Sequence, residues 1–262
     1  MGFLNETIKS LLSKIEDKSE INYKSMAKNI LASIDLTTLS GNESIGDIAV
    51  LCRDSVTPFG HVAAVCIYPQ FLQYAKAELA GKPVKLATVV NFPSGEEPID
   101  TVIREIQRSI ANGADEIDVV WPYKTFLAGD SKTPADFIRQ CKEACGKQVL
   151  LKVILETGAF PNADKIYEAS LLLIDNGADF LKTSTGKIKV GATKEAAIAM
   201  MVAISESGKK IGFKASGGVR TVEQAVDYLL LTENILDKSW ISPNLFRIGA
   251  SSLLNDVIKY LS

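Results

Sequence analysis

Eight short runs, most of them rich in Val, Ile and Leu, recur along the 262-residue chain at intervals of about 30 residues. They span residues 30–39, 62–69, 84–93, 116–122, 150–156, 180–185, 211–217 and 245–252. Between them lie sequences with helical periodicity, such as residues 101–113 and 163–177. Nearly continuous apolar runs are typical of parallel strands buried on both faces. Eight such units in a chain of this length predict an α/β fold, the TIM (β/α)8 barrel.

A doubly wound open sheet is the alternative fold. It normally carries a glycine-rich nucleotide loop after its first strand, and residues 35–39, DLTTL, do not form one. No linker or low-complexity stretch divides the chain. We therefore expect residues 1–262 to form a single barrel domain, with residues 1–28 as an extra N-terminal helical segment.

The phrase NGAD occurs twice, at residues 112–115 and 176–179, each time between a helical pattern and the next apolar run. A glycine just after a helix readily takes the left-handed conformation that ends it. Gly113 and Gly177 are therefore predicted to terminate two helices and direct the chain into the following strand.

Charge and cysteine content exclude several classes of function. With 29 basic and 31 acidic residues, no overall field favours nucleic acid or anionic lipid. No export signal or membrane span is evident, so we expect a cytoplasmic protein that binds no membrane. Cys141 and Cys145 would share one helix face, and His61 is the only histidine. This composition favours buried thiols over a metal site.

In such a barrel the active site lies at the carboxyl ends of the strands. Polar residues near those ends are Asp35, Cys66, Asn91, Asp118, Lys152, Glu156, Lys182, Lys214 and Ser216. The three lysines on consecutive predicted strands are the most unusual of these, because lysine is seldom fully buried. The ordinary alternative is that they face outward or only pair with carboxylates.

Inward-facing lysines on neighbouring strands would repel each other. At an effective dielectric constant near 20, two ammonium groups ~5 Å apart repel by roughly 3 kcal/mol, about two pKa units. Desolvation adds to this effect, and Asp118 or Glu156 would offset part of it. A lysine that is neutral near pH 7 can attack a carbonyl and form a Schiff base. These arguments favour Lys182, on the middle strand, only narrowly over Lys152 and Lys214.

Small-residue turns follow the last three predicted strands. Glycines let backbone N–H groups approach an anion, and the start of the last helix favours negative charge. The turns predict a phosphate site formed by Thr185, Gly186, Lys187, Gly217, Gly218, Gly249, Ser251 and Ser252. The alternative is that they are ordinary turns between strands and helices.

The segments FLKTSTGK (180–187) and GFKASGGVR (212–220) resemble the deoxyribose-phosphate aldolase family. The resemblance runs from about Leu31 to Leu254, through DLTTL, AAVCIYP, ATVVNFPSG, GADEIDVVWPY, CKEAC, LLKVILETG and RIGASSLL. It implies a class I aldolase that reversibly cleaves 2-deoxyribose 5-phosphate to glyceraldehyde 3-phosphate and acetaldehyde. It implies no metal and no cofactor, and an enzyme that is often a homodimer.

The resemblance also implies roles for individual residues. Lys182 matches the Schiff-base lysine, Lys214 the second lysine that lowers its pKa, and Asp118 the aspartate of a proton relay with an ordered water. The supporting or substrate-contacting residues are Asp35, Thr37, Cys66 and Lys152. We further expect aldehyde products to alkylate Cys66, against the alternative that it is a small buried filler.

One departure from the family concerns the C-terminus. Some bacterial members carry a flexible tail ending in a tyrosine that assists proton transfer, and this chain stops at Tyr260-Leu261-Ser262. We expect Tyr260 to lie on the last helix and do not transfer that role to it. Two alternatives stay open: a lysine aldolase or transaldolase with a different donor, and a phosphosugar-binding barrel without catalysis.

Overall fold

Eight parallel strands form the centre of the computed structural model, which describes residues 3–262. The strands are β1 (Ile34–Thr37), β4 (Ala64–Ile67), β5 (Lys85–Val90), β6 (Glu116–Val120), β7 (Leu150–Ile154), β8 (Phe180–Lys182), β9 (Gly212–Ser216) and β10 (Phe246–Ala250). They close into a barrel in the order β1-β10-β9-β8-β7-β6-β5-β4. Each predicted run contains one of these strands, and the TIM barrel prediction is confirmed.

Eleven α-helices accompany the barrel within the described residues. They are α1 (Phe3–Lys14), α2 (Tyr23–Ser33), α3 (Ile45–Asp54), α4 (Leu72–Glu78), α5 (Ile99–Ala111), α6 (Tyr123–Leu127), α7 (Lys132–Cys145), α8 (Ala163–Asp175), α9 (Lys194–Ser207), α10 (Val222–Ile235) and α11 (Leu253–Leu261). A short antiparallel hairpin, β2 (Val56–Thr57) and β3 (Gly60–His61), follows α3 and was not predicted.

The extra N-terminal helix α1 packs on α8 and α9 of the outer layer. Its buried residues Leu4, Ile8 and Leu11, and Ile15 just after it, recur at the spacing of one helix face. On α9, every residue from 196 to 204 is buried. Because α1 covers the side of α9 that would otherwise meet water, α9 can be apolar all round.

The start of the first predicted strand is wrong by four residues. Residues 30–33 belong to α2, and the chain passes at Ile34 directly from helix to extended backbone. Ile30 and Leu31 are buried on α2, so their side chains continue the apolar run of the strand in the sequence. No turn residue separates the two elements, and the apolar run therefore hides the boundary.

Both NGAD segments end a helix as predicted. Gly113 has φ 101° and Gly177 has φ 104°, in the left-handed region that favours glycine. The aspartates of the two segments add a second function. Asp115 and Asp179 each accept a hydrogen bond from a backbone N–H of the preceding strand. Each NGAD segment therefore ends a helix with its glycine and binds the backbone of the preceding strand with its aspartate.

The cysteines of the described residues are all free and buried, and Cys141 and Cys145 share the inner face of α7 as expected. Burial raises the pKa of the Cys145 thiol to about 12. Among residues 3–262, no group of three or more His, Cys, Asp or Glu side chains is arranged to hold a metal ion. None of the described helices is both long and apolar enough to cross a bilayer.

Candidate active site

The three strand lysines meet on a single carboxylate inside the barrel. Lys182 Nζ and Lys214 Nζ lie 2.8 Å and 2.7 Å from the same oxygen of Asp118, Oδ2. Lys152 Nζ lies 2.7 Å from the other oxygen, Oδ1. Strand register explains the convergence, because Asp118 is aligned with Lys152 and Lys182 is aligned with Lys214 on neighbouring strands. All four side chains are buried.

Three further charged groups extend this cluster towards β1 and β10. Asp35 pairs with Lys214 and lies 3.6 Å from Lys152 Nζ. Glu116 lies 2.7 Å from Lys152 Nζ. Arg247 lies 2.5 Å from Asp35 Oδ1 and 2.7 Å from Glu116 Oε1. The lysine cluster, as defined here, consists of Asp35, Glu116, Asp118, Lys152, Lys182, Lys214 and Arg247.

The lysines of the cluster differ in their titration. Burial lowers the pKa of Lys182, and the charge of Lys214 acts in the same direction against the attraction of Asp118. Burial also lowers the pKa of Lys152, but attraction to Asp118 and Glu116 outweighs it, so this pKa is raised overall. The pKa of Lys214 is likewise raised, by Asp118 and Asp35. Lys182 is thus the lysine that most readily becomes a neutral amine.

Asp118 is held as an anion by its three partners. Burial alone would raise its pKa, but attraction to Lys152, Lys182 and Lys214 lowers that pKa well below its usual range. A permanent carboxylate beside the Lys182 amine can accept a proton from a reacting group without itself needing to ionise first. This is the arrangement expected of a site that moves protons around a nucleophilic lysine.

A cleft of about 240 Å³ opens at the carboxyl ends of the strands, directly above the cluster. Lys182 is the one cluster member that lines it. The cleft is lined by Thr37, Leu39, Lys182, Thr185, Gly186, Lys187, Ser216, Gly217, Gly218, Val219, Arg220, Gly249, Ala250, Ser251 and Ser252. All eight residues predicted for the phosphate site are among them, and Thr37 lies at the same rim.

The cleft offers backbone donors suited to an anion. In the described part of the chain, the N–H groups of Gly186, Gly217, Gly218, Ser251 and Ser252 donate no hydrogen bond to the protein. Ser251 and Ser252 precede α11, whose N-terminus favours negative charge. The side chains of Lys187 and Arg220 add positive charge at the rim. Arg220 was not among the predicted residues, although it lies two residues after the GFKASGG segment.

Thr185 lines the cleft, but its own donors point elsewhere. Its N–H and its hydroxyl both donate to the carboxylate of Glu156, and its hydroxyl oxygen accepts from the N–H of Lys187 at 3.0 Å. Thr185 therefore organises the turn and has no free donor of its own for a phosphate. Glu156 is 1% exposed and has a left-handed backbone with φ 59°. A non-glycine residue in that conformation carries strain, which is often found at functional sites.

Two glycines of the cleft are required by close packing. Gly217 has φ 87°, and a Cβ there would lie 3.1 Å from the backbone of Gly191. Ala192 N–H donates to the Gly217 carbonyl at 2.9 Å, so the turns after β8 and β9 are fixed to each other. At Gly249 a Cβ would lie 3.1 Å from Cε of Lys214 and 3.0 Å from Ser216. Gly249 thus leaves room for the stem of Lys214.

The remaining predicted positions have more local contacts. Thr37 donates its hydroxyl to the carbonyl of Asp35. Cys66 is buried on β4, and burial raises the pKa of its thiol. Its reaction with aldehydes stays a prediction. Asn91 donates to a β6 carbonyl and accepts from the loop at residue 97, so it ties loop to barrel. Tyr260 lies on α11 as expected, and its hydroxyl donates to Glu223, which α10 carries.

Sequence reasoning missed Glu116 and Arg247. Glu116 stands two residues before Asp118 on one strand, and alternation places both side chains on the same face. That spacing was a usable signal. Arg247 gave a weaker one, since a single arginine near the start of a strand is ordinarily read as facing solvent.

Comparisons with known proteins identify the family of this chain. A family model described as DeoC/LacD family aldolase matches residues 29–258. The chain is 48% identical to the deoxyribose-phosphate aldolase of Agrobacterium fabrum over 234 residues, which cover 88% of this chain and 90% of that protein. A solved aldolase structure superposes with a TM-score of 0.75 at 27% identity, covering 88% of this chain and 96% of that one.

A more distant solved structure shows the fold alone. It is the tetrameric deoxyribose phosphate aldolase of Aeropyrum pernix, which is 24% identical and superposes with a TM-score of 0.70. The match covers 98% of each chain.

Proposed function

The chain belongs to the DeoC/LacD family of aldolases, and from this we infer that it is a deoxyribose-phosphate aldolase. It cleaves 2-deoxy-D-ribose 5-phosphate reversibly to D-glyceraldehyde 3-phosphate and acetaldehyde through a lysine Schiff base. The observation that carries the inference is one cleft with two ends. An amine with a lowered pKa, Lys182, lies at its base, and free backbone donors lie at its rim.

The reaction begins at the amine. Neutral Lys182 adds its nitrogen lone pair to C1 of the open-chain sugar, and loss of water gives an iminium ion. Asp118, acting through water with Lys214 beside it, takes the proton of the C3 hydroxyl. The C2–C3 bond breaks, its electrons flow into the iminium, and glyceraldehyde 3-phosphate leaves. The enamine is then protonated at carbon, and water hydrolyses the resulting iminium to release acetaldehyde and regenerate Lys182.

The phosphate end of the substrate binds where no bond changes. The free N–H groups of the three turns hold it, together with the charges of Lys187 and Arg220; these N–H groups belong to Gly186, Gly217, Gly218, Ser251 and Ser252. Binding energy gained there positions C1 against Lys182, which converts phosphate affinity into rate. Asp35, Lys152 and Thr37 support the cluster and the rim between the two ends.

Covalent trapping tests the nucleophile and the donor together. Borohydride with acetaldehyde should leave a reduced two-carbon adduct on the peptide that contains Lys182, and Lys182→Arg should leave none. If dihydroxyacetone phosphate is trapped instead, the enzyme is a lysine aldolase with a different donor. If wild type converts the phosphosugar no faster than Lys182→Ala does, the protein binds phosphosugars without catalysing their cleavage.

The proposal also includes the oligomeric state of the enzyme. We propose a homodimer, because four of the six exposed large apolar side chains among the described residues lie between Ile45 and Phe59, on α3 and the hairpin. Sedimentation should give a dimer mass in wild type and a monomer mass in Phe59→Glu.

We also propose a cytoplasmic location, which four free, buried thiols support.

A further inference from the structure

Arg247 lies inside the barrel and away from the cleft. It is 3% exposed and does not line the cleft. Its guanidinium bonds to Asp35 at 2.5 Å and to both oxygens of Glu116, at 2.7 Å and 3.1 Å. On its other side it lies 5.8 Å from the ring centroid of Phe180, two residues before Lys182 on β8. This side chain is held from β1, β6 and β8 and does not line the cleft, yet its charge belongs to the cluster.

The charge of Arg247 does not vary with pH, because guanidinium stays protonated in proteins. The contacts of the lysine cluster join four cationic side chains to three carboxylates. A fully ionised cluster would therefore carry one uncompensated positive charge in a buried place, which is costly. Releasing one proton removes that charge. Since Arg247 cannot release it, a lysine must.

The other groups that face Lys182 do not change this count. Asp118 from β6 and Lys214 from β9 are already in the cluster. Cys66 from β4 is a neutral thiol whose pKa burial raises. Glu156, after β7, interacts with Lys182 electrostatically but forms no ion pair with it and lies outside the cluster, and its carboxylate accepts from the two donors of Thr185.

The titratable groups that face Arg247 are all members of the cluster. They are Asp35 from β1, Glu116 from β6, Lys152 from β7 and Lys214, its aligned partner on β9. Lys152 and Lys214 each contact two or more carboxylates of the cluster, whereas Lys182 contacts Asp118 alone. The proton is therefore lost most easily from Lys182.

We propose that Arg247 and Glu116 are positioning residues that together set the net charge of the cluster and so the pH at which the Lys182 amine becomes neutral. The inference deepens the proposed function and rests on it. Removing the charge of Arg247 lets the cluster hold one more proton, so Lys182 stays charged to higher pH. Removing the charge of Glu116 has the opposite effect. Removing both restores the balance.

The test is the pH dependence of adduct formation between acetaldehyde and Lys182, with cyanoborohydride as the trapping reagent and mass spectrometry as the readout. Arg247→Met should move the midpoint up by about one pH unit, as expected for a unit charge roughly 10 Å away at an effective dielectric constant near 20. Glu116→Gln should move it down, and the double variant should return it close to wild type. Arg247→Lys keeps the charge and should keep the midpoint.

Arg139→Met is the matched control, because it removes an arginine charge from the exposed face of α7. Its midpoint should equal that of wild type. If Arg247→Met does not fold, Glu116→Gln is compared with the double variant, which should lie at higher pH. Midpoints that stay fixed, or that move the same way in both single variants, overturn the charge-setting inference alone. An absence of any wild-type adduct on Lys182 overturns the proposed function instead.

Discussion

Lys182 and Lys214 occupy the same register position on neighbouring parallel strands, and their ammonium nitrogens meet on one oxygen of Asp118. The two lysines nevertheless differ, because Lys214 has a second carboxylate, Asp35, and Lys182 has none. The pKa of Lys214 is raised and that of Lys182 is lowered. A pair of identical residues thus divides into one that holds its proton more firmly and one that loses it more readily.

Adduct formation should increase with pH. The pKa of Lys182 is lowered from its ordinary value, so the neutral amine accumulates as pH rises through that lowered pKa and is lost below it. Initial rates of acetaldehyde trapping, measured across pH, should therefore rise and reach a plateau before pH 10.5, the ordinary lysine value. A rise centred on that ordinary value would show that the cluster leaves Lys182 unperturbed.

Lys214→Met should lower kcat/KM for 2-deoxyribose 5-phosphate by about 10²-fold or more, because a proton-transfer partner of this kind contributes 10²–10⁴-fold. It also removes a positive charge beside Lys182, so the midpoint of adduct formation should move to higher pH. Lys194→Met, on α9, removes a surface charge and is the control. A loss of rate with no movement of the midpoint would mean that Lys214 does not act on the amine electrostatically.

Glu156→Ala should weaken phosphate recognition selectively. Without its carboxylate the turn at Thr185 loses both hydrogen bonds that shape it. We expect KM for the phosphorylated substrate to rise about tenfold, while kcat/KM for unphosphorylated 2-deoxyribose changes little, because one such bond contributes about 1 kcal/mol. Glu156→Gln keeps an acceptor and should show a smaller effect. Equal losses on both substrates would indicate general damage to the barrel.

Gly249→Ala should slow the reaction without abolishing binding. The added methyl would press on the stem of Lys214 and on Ser216, so both must shift by a few tenths of an ångström. Overpacking of this kind costs roughly 1–3 kcal/mol. Thermal unfolding should therefore show a lower Tm, and kcat should fall more than KM rises. A Tm equal to that of wild type would mean that the strand yields freely at this point.

Alkylation of Cys66 by unsaturated aldehydes should be slow at neutral pH. Burial raises the pKa of this thiol and leaves little reactive thiolate. Inactivation by such an aldehyde should become faster at higher pH, and Cys66→Ala should be protected. Cys52→Ala, which removes another buried thiol, serves as the comparison. Equal inactivation of Cys66→Ala and wild type would place the damage elsewhere.

The sequence sufficed for the barrel because most of the eight strands lie in runs rich in apolar residues, and for the lysines because inward charge is rare on such strands. It could not rank Lys182 securely above Lys152 and Lys214 on spacing alone. That ranking depends on which carboxylate each ammonium reaches, and such contacts arise from register across the barrel. Arg247 shows the same limit, because its partners lie on β1 and β6, far away in sequence.

The donors at the rim of the cleft are mostly backbone groups, whereas the reactive group at its base is one side chain. The two parts of the site therefore differ in how well they tolerate substitution. Substitutions in the turns are tolerated as long as the backbone conformation of the glycines is kept. Replacement of Lys182 alone, by contrast, removes the proposed nucleophile. On the proposed roles, a descendant that lost this lysine would lose the nucleophile and keep the backbone donors of the rim, so we expect phosphosugar binding to outlast catalysis.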